Sequence, residues 1–264
     1  MITVLGATGY IGSNVLKKLI RANEEVYAPG KGENLAQKNL GHIIYCIGMT
    51  ANFRTKPFET VESHVCVLNT ILKECQFESL TYLSSTRVYI NSSKSVAEEN
   101  DEILINPLHA DDLYTLTKLT GECLCLSSGR NVKIIRLSNI FGKDFKSDNF
   151  LTGIIRKIQD KGHFTLLLSL SSSKDYLFIE DAVNLVIDIA LKGKEKVYNA
   201  ASGRNVSNEE ILNAIKKHVQ FSYTVAENAK DITFPRISIN KISAEFDFDP
   251  ENILDHIATL LKKE

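Results

Sequence analysis

The sequence predicts an α/β fold in which a parallel sheet is covered by helices on both faces. Segments with strand and helix patterns alternate along the chain from the first residue. The strand segments are short, and the first of them, at 2–6, is β-branched and apolar, which is typical of a strand buried on both faces. A glycine-rich run, VLGATGYIGS at 4–13, directly follows the first of these strands and opens the first helix.

The predicted elements are identified by hydrophobic periodicity and by turn and capping residues. Strands are predicted at 2–6, 26–28, 43–47, 80–84, 133–137, 165–168 and 197–199. Helices are predicted from 10 to about 22 and at 57–75, 110–127, about 149–161 and 181–191. One further helix opens at the capping box Ser207–Glu210, and a last helix follows Pro250.

The connection between the second and third strands is short for such a sheet. Only fourteen residues separate Ala28 from Ile43, and they include three glycines and one proline. A complete doubly wound half needs a helix, a further strand and a return connection here, and these cannot all fit. We therefore expect the edge strand of the sheet to be missing or vestigial.

The glycine-rich run has the spacing G-x-x-G-x-x-G, with glycines at Gly6, Gly9 and Gly12. Between a buried strand and a helix, such glycines allow a tight turn, the approach of a pyrophosphate and close packing of helix on sheet. A Rossmann-type dinucleotide site is therefore predicted, and a glycine turn without a ligand is the alternative. We expect a dinucleotide-binding domain of 1–140 plus about 175–200, and a small C-terminal substrate-binding lobe of about 141–174 plus 201–264.

The end of the second predicted strand bears on which dinucleotide would fit. An acidic residue usually stands there and binds the ribose hydroxyls of NAD. Here the position falls near Gly30 and Lys31, and the first carboxylate is that of Glu33. A lysine suits the 2′-phosphate of NADP, so NADP is favoured over NAD, although a surface lysine on a turn accounts for the residue equally well.

Two further motifs place polar groups near the same end of the sheet. Tyr114 and Lys118 are four residues apart in a predicted helix, so they share one face. A neighbouring ammonium favours the phenolate and lowers the pKa of a tyrosine from about 10, which suits acid–base chemistry. Ser84, Ser85 and Thr86 end the preceding strand, where they either face the cleft or simply cap a turn. The glycine loop, these hydroxyls and the Y-x-x-x-K pair are more specific together than apart.

The composition excludes several classes of partner. The 31 Lys and Arg against 32 Asp and Glu give a net charge of −1, without the basic face expected for nucleic acid or an anionic membrane. No signal peptide is recognised, and no apolar run approaches the roughly 20 residues of a membrane helix. The five cysteines and six histidines show no metal-ligand spacing, so we expect no metal. The cysteines are interpreted as buried, reduced thiols of a cytoplasmic protein.

These motifs resemble those of the extended short-chain dehydrogenases/reductases, in particular the NAD-dependent epimerase/dehydratase family that acts on nucleotide sugars. The resemblance spans nearly the whole chain. It rests on GATGYIG (6–12), IIYCIG (43–48), SSTRVY (84–89), YTLTK followed by GE (114–122), RLSNIFG (136–142), KDYLFIED (174–181) and YNAASG (198–203).

The resemblance implies roles for the site residues. Ser85 polarises the reacting sugar oxygen, Tyr114 donates or accepts the proton while hydride moves at a sugar carbon such as C4, and Lys118 holds the nicotinamide ribose and keeps the pKa of Tyr114 low. Residues expected at the cofactor are Gly6, Thr8, Gly9, Tyr10, Ile11, Gly12, Lys31, Cys46, Ile47, Gly48, His64, Ser84, Tyr114 and Lys118. Residues expected at the substrate are Thr86, Asn139, Asn149 and Lys174, with Asn149 at the diphosphate. A turn-forming Asn139 and a helix-capping Asn149 are the alternatives.

Three departures from the family's pattern bear on the reaction. Thr86 and Arg87 stand where the family's 4,6-dehydratases have Asp and Glu, which argues against dehydration. His64 replaces an Asn that supports the cofactor loop. Lys174 replaces an Arg that often reaches the nucleotide diphosphate, and lysine lacks the bidentate fork of arginine.

The predicted function is an NAD(P)-dependent oxidoreductase acting on a nucleotide sugar. A 4-ketosugar reductase and a 4-epimerase both remain open, because both use the same Ser, Tyr and Lys. A homodimer through the 57–75 and 110–127 helices is implied by the resemblance. Two other interpretations are retained: a non-catalytic NAD(P)-binding regulator, and a reductase of a small non-nucleotide carbonyl compound, which the short region after residue 150 favours.

Overall fold

The structure is a computed structural model, and its central element is a sheet of six parallel strands. The structure describes residues 1–50, 52–143 and 149–262. Its strands are β1 (Ile2–Leu5), β2 (Val26–Tyr27), β3 (His42–Tyr45), β4 (Ser79–Ser85), β5 (Val96–Ala97), β6 (Val132–Leu137), β7 (Asn139–Phe141), β8 (His163–Leu168), β9 (Ser173–Phe178), β10 (Val197–Ala200), β11 (Asn205–Ser207), β12 (Ser222–Lys230) and β13 (Arg236–Ile237). Its helices are α1 (Tyr10–Arg21), α2 (Pro57–Val61), α3 (Val67–Glu74), α4 (Asp112–Ser127), α5 (Phe150–Lys161), α6 (Ile179–Lys192), α7 (Asn208–Lys216), α8 (Asn240–Glu245) and α9 (Ile253–Leu260). A π-helical segment, Glu62–Cys66, joins α2 to α3, and a 3₁₀ turn, Thr86–Tyr89, follows β4.

The six strands of the central sheet lie in the order β10-β6-β4-β3-β1-β2, and every neighbouring pair is parallel. This arrangement confirms the predicted Rossmann-type α/β sheet. Because β2 and β3 lie on opposite sides of β1, the direction of winding reverses between β1 and β3. In open α/β sheets, ligands bind beyond the carboxyl ends of the strands at such a switch point.

One edge of the sheet ends at β2, a strand of only two residues. It pairs with β1 through Val26 and Tyr27. Residues 29–41 are all described, and they add no strand to the sheet; an isolated bridge pairs Asn39 with Gln76. The expectation of a missing edge strand is confirmed, because turns take up the short connection.

Apolar side chains cover both faces of the sheet, and a further core lies outside it. On one face, α1 and α6 bury side chains that include Val15, Leu19, Val183, Val186 and Ile189. On the other face, α3 and α4 bury side chains that include Leu68, Ile71 and Cys125. The further core lies among α5, α7, α9 and β8, and it includes Ile154, Ile158, Phe164, Ile211, Ile215 and Ile257.

Several elements differ from the sequence prediction. The predicted 57–75 helix contains the π-helical segment, whose wider turn leaves no mark on hydrophobic periodicity. Strands β5, β7, β9, β11, β12 and β13 and helix α8 were not predicted, because most are short or pair locally outside the central sheet. The capping box Ser207–Glu210 is confirmed, with each side chain bonded to the other residue's backbone N–H.

Two of the cysteines contradict the sequence interpretation. Cys75 and Cys125 are buried and Cys46 is half-buried, but Cys66 and Cys123 are exposed. Both exposed thiols lie on the solvent side of their helical segments, so an apolar sequence neighbourhood did not imply burial. Across the three described ranges, no helix has the length and apolarity needed to cross a membrane.

A buried ion pair connects helix α4 to strand β6 behind the switch point. The Arg136 guanidinium donates to the Glu122 carboxylate at 2.7 Å from Nη2 and at 3.1 Å from Nε, and the two side chains are only 7% and 4% exposed. Ser84 at the end of β4 donates to the same carboxylate at 2.5 Å. Arg136 also donates to the Tyr89 hydroxyl at 2.6 Å, and that hydroxyl donates to Asn199 of β10. Three adjacent strands and α4 are therefore fixed around one carboxylate.

We expect Arg136→Met to destabilise the protein by about 3–5 kcal/mol, because the change leaves the Glu122 carboxylate buried without its counter-charge. The free energy of unfolding in urea measures the loss. Lys192→Met is the matched control, since Lys192 forms an exposed i,i+4 pair with Asp188 and such pairs contribute little. Equal effects of the two changes would contradict the importance of the buried pair.

Candidate active site

A cavity of about 490 Å³ lies at the carboxyl ends of β1, β3, β4 and β6, at the switch point of the sheet. The predicted site residues that line it are Gly9, Tyr10, Ile11, Cys46, Ile47, Gly48, His64, Ser84, Ser85, Thr86, Tyr114, Lys118, Asn139, Asn149 and Lys174. The structure therefore brings together most of the residues that the motifs singled out. Four do not line it: Gly6, Thr8, Gly12 and Lys31.

The glycines of the first loop serve two different purposes. Gly6 has φ +82°, and a Cβ there would lie 2.9 Å from the backbone of Cys46. A Cβ at Gly12 would clash with the carbonyl oxygen of Gly6, so only glycine lets α1 pack this closely on the loop. Gly9 lines the cavity at the N-terminus of α1, where its lack of a side chain leaves the helix N–H groups open to an anion. This geometry fits the pyrophosphate of a dinucleotide.

His64 links the segment after β3 to helix α4. Its Nε2 accepts a hydrogen bond from the Met49 backbone N–H at 3.1 Å, so Nδ1 carries the proton and donates to the Thr117 hydroxyl at 2.8 Å. Burial, together with the charge of Lys118, lowers the pKa of His64 to about 2. The histidine is therefore neutral, and it fixes the segment after β3 to helix α4.

Tyr114 and Lys118 lie on one face of α4, as their spacing predicts, and are 3% and 5% exposed. The Lys118 ammonium donates to the Leu83 carbonyl at 2.9 Å and lies 5.1 Å from the centre of the Tyr82 ring. Burial lowers the pKa of Lys118 to about 7, against the pull of the Glu122 charge. Its amine is thus held between α4 and the end of β4.

Ser85 lies beside Tyr114 and also caps the turn that follows β4. Its Oγ accepts a hydrogen bond from the Arg87 backbone N–H at 3.2 Å. The pKa of Tyr114 is raised by burial, while the hydrogen bond with Ser85 and the charge of Arg87 work in the opposite direction. The expectation that Lys118 keeps this pKa low is not met in the protein itself, because burial dominates and the lysine binds a backbone carbonyl.

All four residues expected at the substrate line the cavity, and Thr86 is buried there. Asn139 donates through Nδ2 to the Asp175 carbonyl at 2.9 Å. Asn149 accepts from the Thr152 backbone N–H at 2.9 Å and so caps α5 while lining the cavity. The Lys174 ammonium lies 5.0 Å from the centre of the Phe150 ring, and burial lowers its pKa to about 8.

The profile of the NAD-dependent epimerase/dehydratase family matches residues 2–201. The chain belongs to this family. No curated protein sequence matches it. Solved structures show the same fold over nearly the whole length of both chains.

Three of these structures illustrate the range of proteins with this fold. UDP-glucuronic acid 4-epimerase from Bacillus cereus, in complex with UDP-glucuronic acid and NAD, is 16% identical with a TM-score of 0.78, covering 98% of each chain. RMD from Pseudomonas aeruginosa, complexed with NADPH, is 17% identical with a TM-score of 0.78, covering 98% of this chain and 97% of its own. A monomeric L-threonine 3-dehydrogenase from a metagenome is 19% identical with a TM-score of 0.75, covering 99% of this chain and 98% of its own.

In this epimerase/dehydratase family member, thirteen of the described cavity-lining residues lie outside the predicted set, among them Phe53, Arg54 and Arg87. Phe53 and Arg54 come from the segment between β3 and α2, which carries no recognisable motif. Arg87 stands two residues after Ser85, so its place in the SSTRVY motif was the signal that could have identified it. The described residues that line the cavity include four cations and no carboxylate.

The ribose of a family cofactor is expected near the turn after β2. The carboxylate on this turn, that of Glu33, forms hydrogen bonds within the protein. Glu33 accepts from the Tyr27 hydroxyl, from Lys38 at 2.8 Å and from the Gly30 backbone N–H at 3.1 Å. These hydrogen bonds lower the pKa of Glu33 to about 2. Lys31 is exposed on the same turn.

No group of three or more His, Cys, Asp or Glu suited to a metal occurs in the described part of the chain.

Lys118 provides a pH-dependent test of this site. Its folded-state pKa is about 7, whereas the pKa of an unfolded lysine is about 10.4. Between these two pH values the unfolded chain binds more protons than the folded one. The buried charge therefore lowers the stability by its full amount below the folded-state pKa, and it costs nothing above the unfolded-state pKa. We expect Lys118→Met to exceed the wild type in stability near neutral pH, by a margin that shrinks by up to about 1.4 kcal/mol per pH unit as the pH rises.

Urea unfolding of both proteins at neutral and alkaline pH measures this margin. Lys17→Met, a change at an exposed lysine of α1, is the control and shows no such trend. A margin that does not change with pH would mean that the pKa of Lys118 in the folded protein is close to its unfolded value.

Proposed function

We propose that the protein is an NAD(P)-dependent oxidoreductase of nucleotide sugars, acting as a 4-ketosugar reductase or a 4-epimerase. The observation that carries this proposal is the meeting of Ser85, Tyr114 and Lys118 with the glycine loop around one cavity. The nucleotide-sugar ligand named for the Bacillus cereus epimerase supports the substrate class. A nicotinamide cofactor, when bound, supplies or accepts the hydride.

The chain's own groups have separate tasks in this reaction. Ser85 hydrogen-bonds the reacting sugar oxygen, and Tyr114 exchanges a proton with that oxygen. Because burial raises the pKa of Tyr114, its phenol is protonated at neutral pH and ready to donate to a ketone. The Lys118 ammonium, held at the end of β4, is placed to bind the nicotinamide ribose. Gly9 and the N-terminus of α1 receive the pyrophosphate.

Dehydration is disfavoured by the residues that follow Ser85. Eliminating water from a sugar requires an acid and a base beside the ring, the roles that the resemblance gives to Asp and Glu in the 4,6-dehydratases. Thr86 and Arg87 occupy these positions. An arginine remains protonated and a threonine hydroxyl is a poor base, so reduction or epimerisation fits better than dehydration.

The substrate diphosphate is proposed to lie near the N-terminus of α5. Asn149 caps this helix and Lys174 lies beside it, both on the cavity wall. The core of α5, α7, α9 and β8 supports this wall. We therefore propose that residues 141–174 and 201–264 form the substrate lobe, against a dinucleotide-binding domain of 1–140 plus about 175–200.

NADP is the proposed cofactor in preference to NAD. The Glu33 carboxylate is engaged by Lys38, Tyr27 and Gly30, so it is not presented to a ribose 2′-hydroxyl. Exposed Lys31 is left as the charged group able to meet a 2′-phosphate. The NADPH complex of the Pseudomonas aeruginosa structure is consistent with this choice.

A homodimer is proposed through the outer faces of α2, the π-helical segment and α4. Phe58 on α2 is 85% exposed and Leu126 on α4 is 49% exposed. The exposed Cys66 and Cys123 lie on the same helical segments. Exposed apolar side chains on packed helices are consistent with a surface that a second copy covers.

A reductase of a small non-nucleotide carbonyl compound is the second candidate. The observation in its favour is the match to L-threonine 3-dehydrogenase, which covers 99% of this chain. The two candidates differ in the need for a nucleoside diphosphate. A regulatory protein without activity is disfavoured because Ser85, Tyr114 and Lys118 all line one cavity.

Tyr114→Phe tests the catalytic proposal. We expect cofactor binding to persist and turnover to fall by about 10²- to 10⁴-fold, because the proton donor is lost. The sugar is first identified by thermal shift with UDP-, GDP-, CDP- and dTDP-sugars in the presence of NAD or NADP, since a specific ligand stabilises the folded state. Turnover is then followed by cofactor absorbance and by separation of the sugar products.

Tyr223→Phe, on β12 and outside the cavity, is the control for loss of a tyrosine hydroxyl. Undiminished turnover by Tyr114→Phe would overturn the catalytic assignment. Net consumption of NAD(P)H identifies a reductase, whereas product formation without net consumption identifies an epimerase.

Lys31→Ala tests the cofactor preference. We expect its affinity for NADP to fall roughly threefold to tenfold while its affinity for NAD is unchanged, because only the 2′-phosphate meets the lysine. Calorimetric titration with both dinucleotides measures the two affinities, with Lys17→Ala as the control. Parallel losses for NAD and NADP would show that Lys31 does not contact the 2′-phosphate.

A further inference from the structure

The charge of the cavity is unbalanced. The described lining residues include the cations Arg54, Arg87, Lys118 and Lys174 but no Asp or Glu. Cations gathered without carboxylates in a partly buried space are stabilised by anionic ligands. A pyrophosphate at the glycine loop and a diphosphate near Lys174 account for part of this charge under the proposed function.

Three of the four cations already have defined contacts. Arg54 forms two hydrogen bonds with the Asp111 carboxylate, at 2.5 and 2.8 Å. Lys118 donates to the Leu83 carbonyl at 2.9 Å. Lys174 lies over the rings of Phe150 and Tyr176, at 5.0 and 5.3 Å from their centres.

Arg87 has an ion pair but no hydrogen bond to its neighbouring carboxylate. Its Nη2 is 3.7 Å from Asp111, too far for a hydrogen bond, and that carboxylate is already engaged by Arg54. Its Nε is buried and has no hydrogen-bond partner among the described residues. Burial and the charge of Arg54 lower the pKa of Arg87, while the charge of Asp111 acts in the opposite direction, so its guanidinium is only partly compensated.

The position of Arg87 indicates where an anion would meet it. Its backbone N–H donates to Ser85, the residue proposed to bind the reacting sugar oxygen. Its guanidinium carbon lies 5.6 Å from the centre of the Phe53 ring, and that ring lies 5.3 Å from the ring of Tyr114. The cation is therefore beside the reacting groups.

We propose that Arg87 binds a carboxylate on the substrate sugar, so that the substrate is a nucleoside diphosphate hexuronate or its 4-keto form. This inference rests on the proposed function and narrows its substrate class. The C6 carboxylate of a hexuronate is attached to C5, next to the reacting C4. A planar guanidinium matches a carboxylate with two parallel hydrogen bonds, which the Nη groups of Arg87 can donate.

The test compares pairs of ligands that differ only at C6. UDP-glucuronic acid is paired with UDP-glucose, UDP-galacturonic acid with UDP-galactose, and GDP-mannuronic acid with GDP-mannose, alongside free UDP and GDP. Dissociation constants are measured by calorimetry on the full chain saturated with NAD or NADP. We expect the wild type to bind the hexuronate of the preferred pair about 10- to 100-fold more tightly than the hexose.

Variants then assign the preference to one side chain. We expect Arg87→Met to abolish it without changing the affinity for free UDP or GDP, and Arg87→Lys to retain part of it because the charge remains without the fork. Arg21→Met, on the exposed last turn of α1, controls for the loss of one positive charge. The wild-type comparison needs no variant, so it holds even if an Arg87 variant fails to fold.

The outcomes separate this inference from the function on which it rests. Equal binding of hexuronate and hexose by the wild type overturns the inference and leaves the proposed function intact. Arg87→Met could also weaken the binding of free UDP or GDP as much as that of the hexuronate. That result would assign Arg87 to the diphosphate and would overturn the inference as well. If no nucleotide sugar binds at all, the proposed function fails and the inference fails with it.

Discussion

The buried carboxylate of Glu122 is the constraint on which the site depends. It lies four residues after Lys118 and eight after Tyr114, so the three side chains share one face of α4. Its hydrogen bonds with Ser84 and Arg136 fix that face against the ends of β4 and β6. The same charge acts on Lys118, where it opposes the effect of burial on the ammonium. One carboxylate thus sets both the orientation of the helix and the electrostatics of its catalytic face.

The sequence predicted those features whose physical cause is local. A glycine loop between a buried strand and a helix is typical of a dinucleotide site, and Gly6 and Gly12 occupy backbone positions that no other residue would fit. The fourteen residues between Ala28 and Ile43 are too few for a complete connection, which was enough to predict the missing edge strand. The i,i+4 spacing of Tyr114 and Lys118 placed both side chains in the cavity.

The features that escaped prediction arise from tertiary contacts. The π-helical turn carries His64, whose ring bonds to Met49 and Thr117 on other parts of the chain, and hydrophobic periodicity does not reveal such contacts. The raised pKa of Tyr114 follows from its burial, which spacing along a helix does not reveal. The sequence shows that Arg87 stands where the 4,6-dehydratases have Glu. It does not show that the neighbouring carboxylate of Asp111 is hydrogen-bonded to Arg54 and compensates Arg87 only in part. Phe53 and Arg54 join the site only because their loop folds over it.

The two-residue edge strand has a consequence for how the protein behaves among copies of itself. A long, flat edge strand exposes a row of unpaired N–H and C=O groups on which another chain can add a strand, which leads to aggregation. β2 offers very little of such a row, and Pro29 and Gly30 follow almost at once. The Tyr27, Glu33 and Lys38 side chains then bond to one another across the turn that follows it. The shortened connection therefore also protects the open side of the sheet from edge-to-edge association.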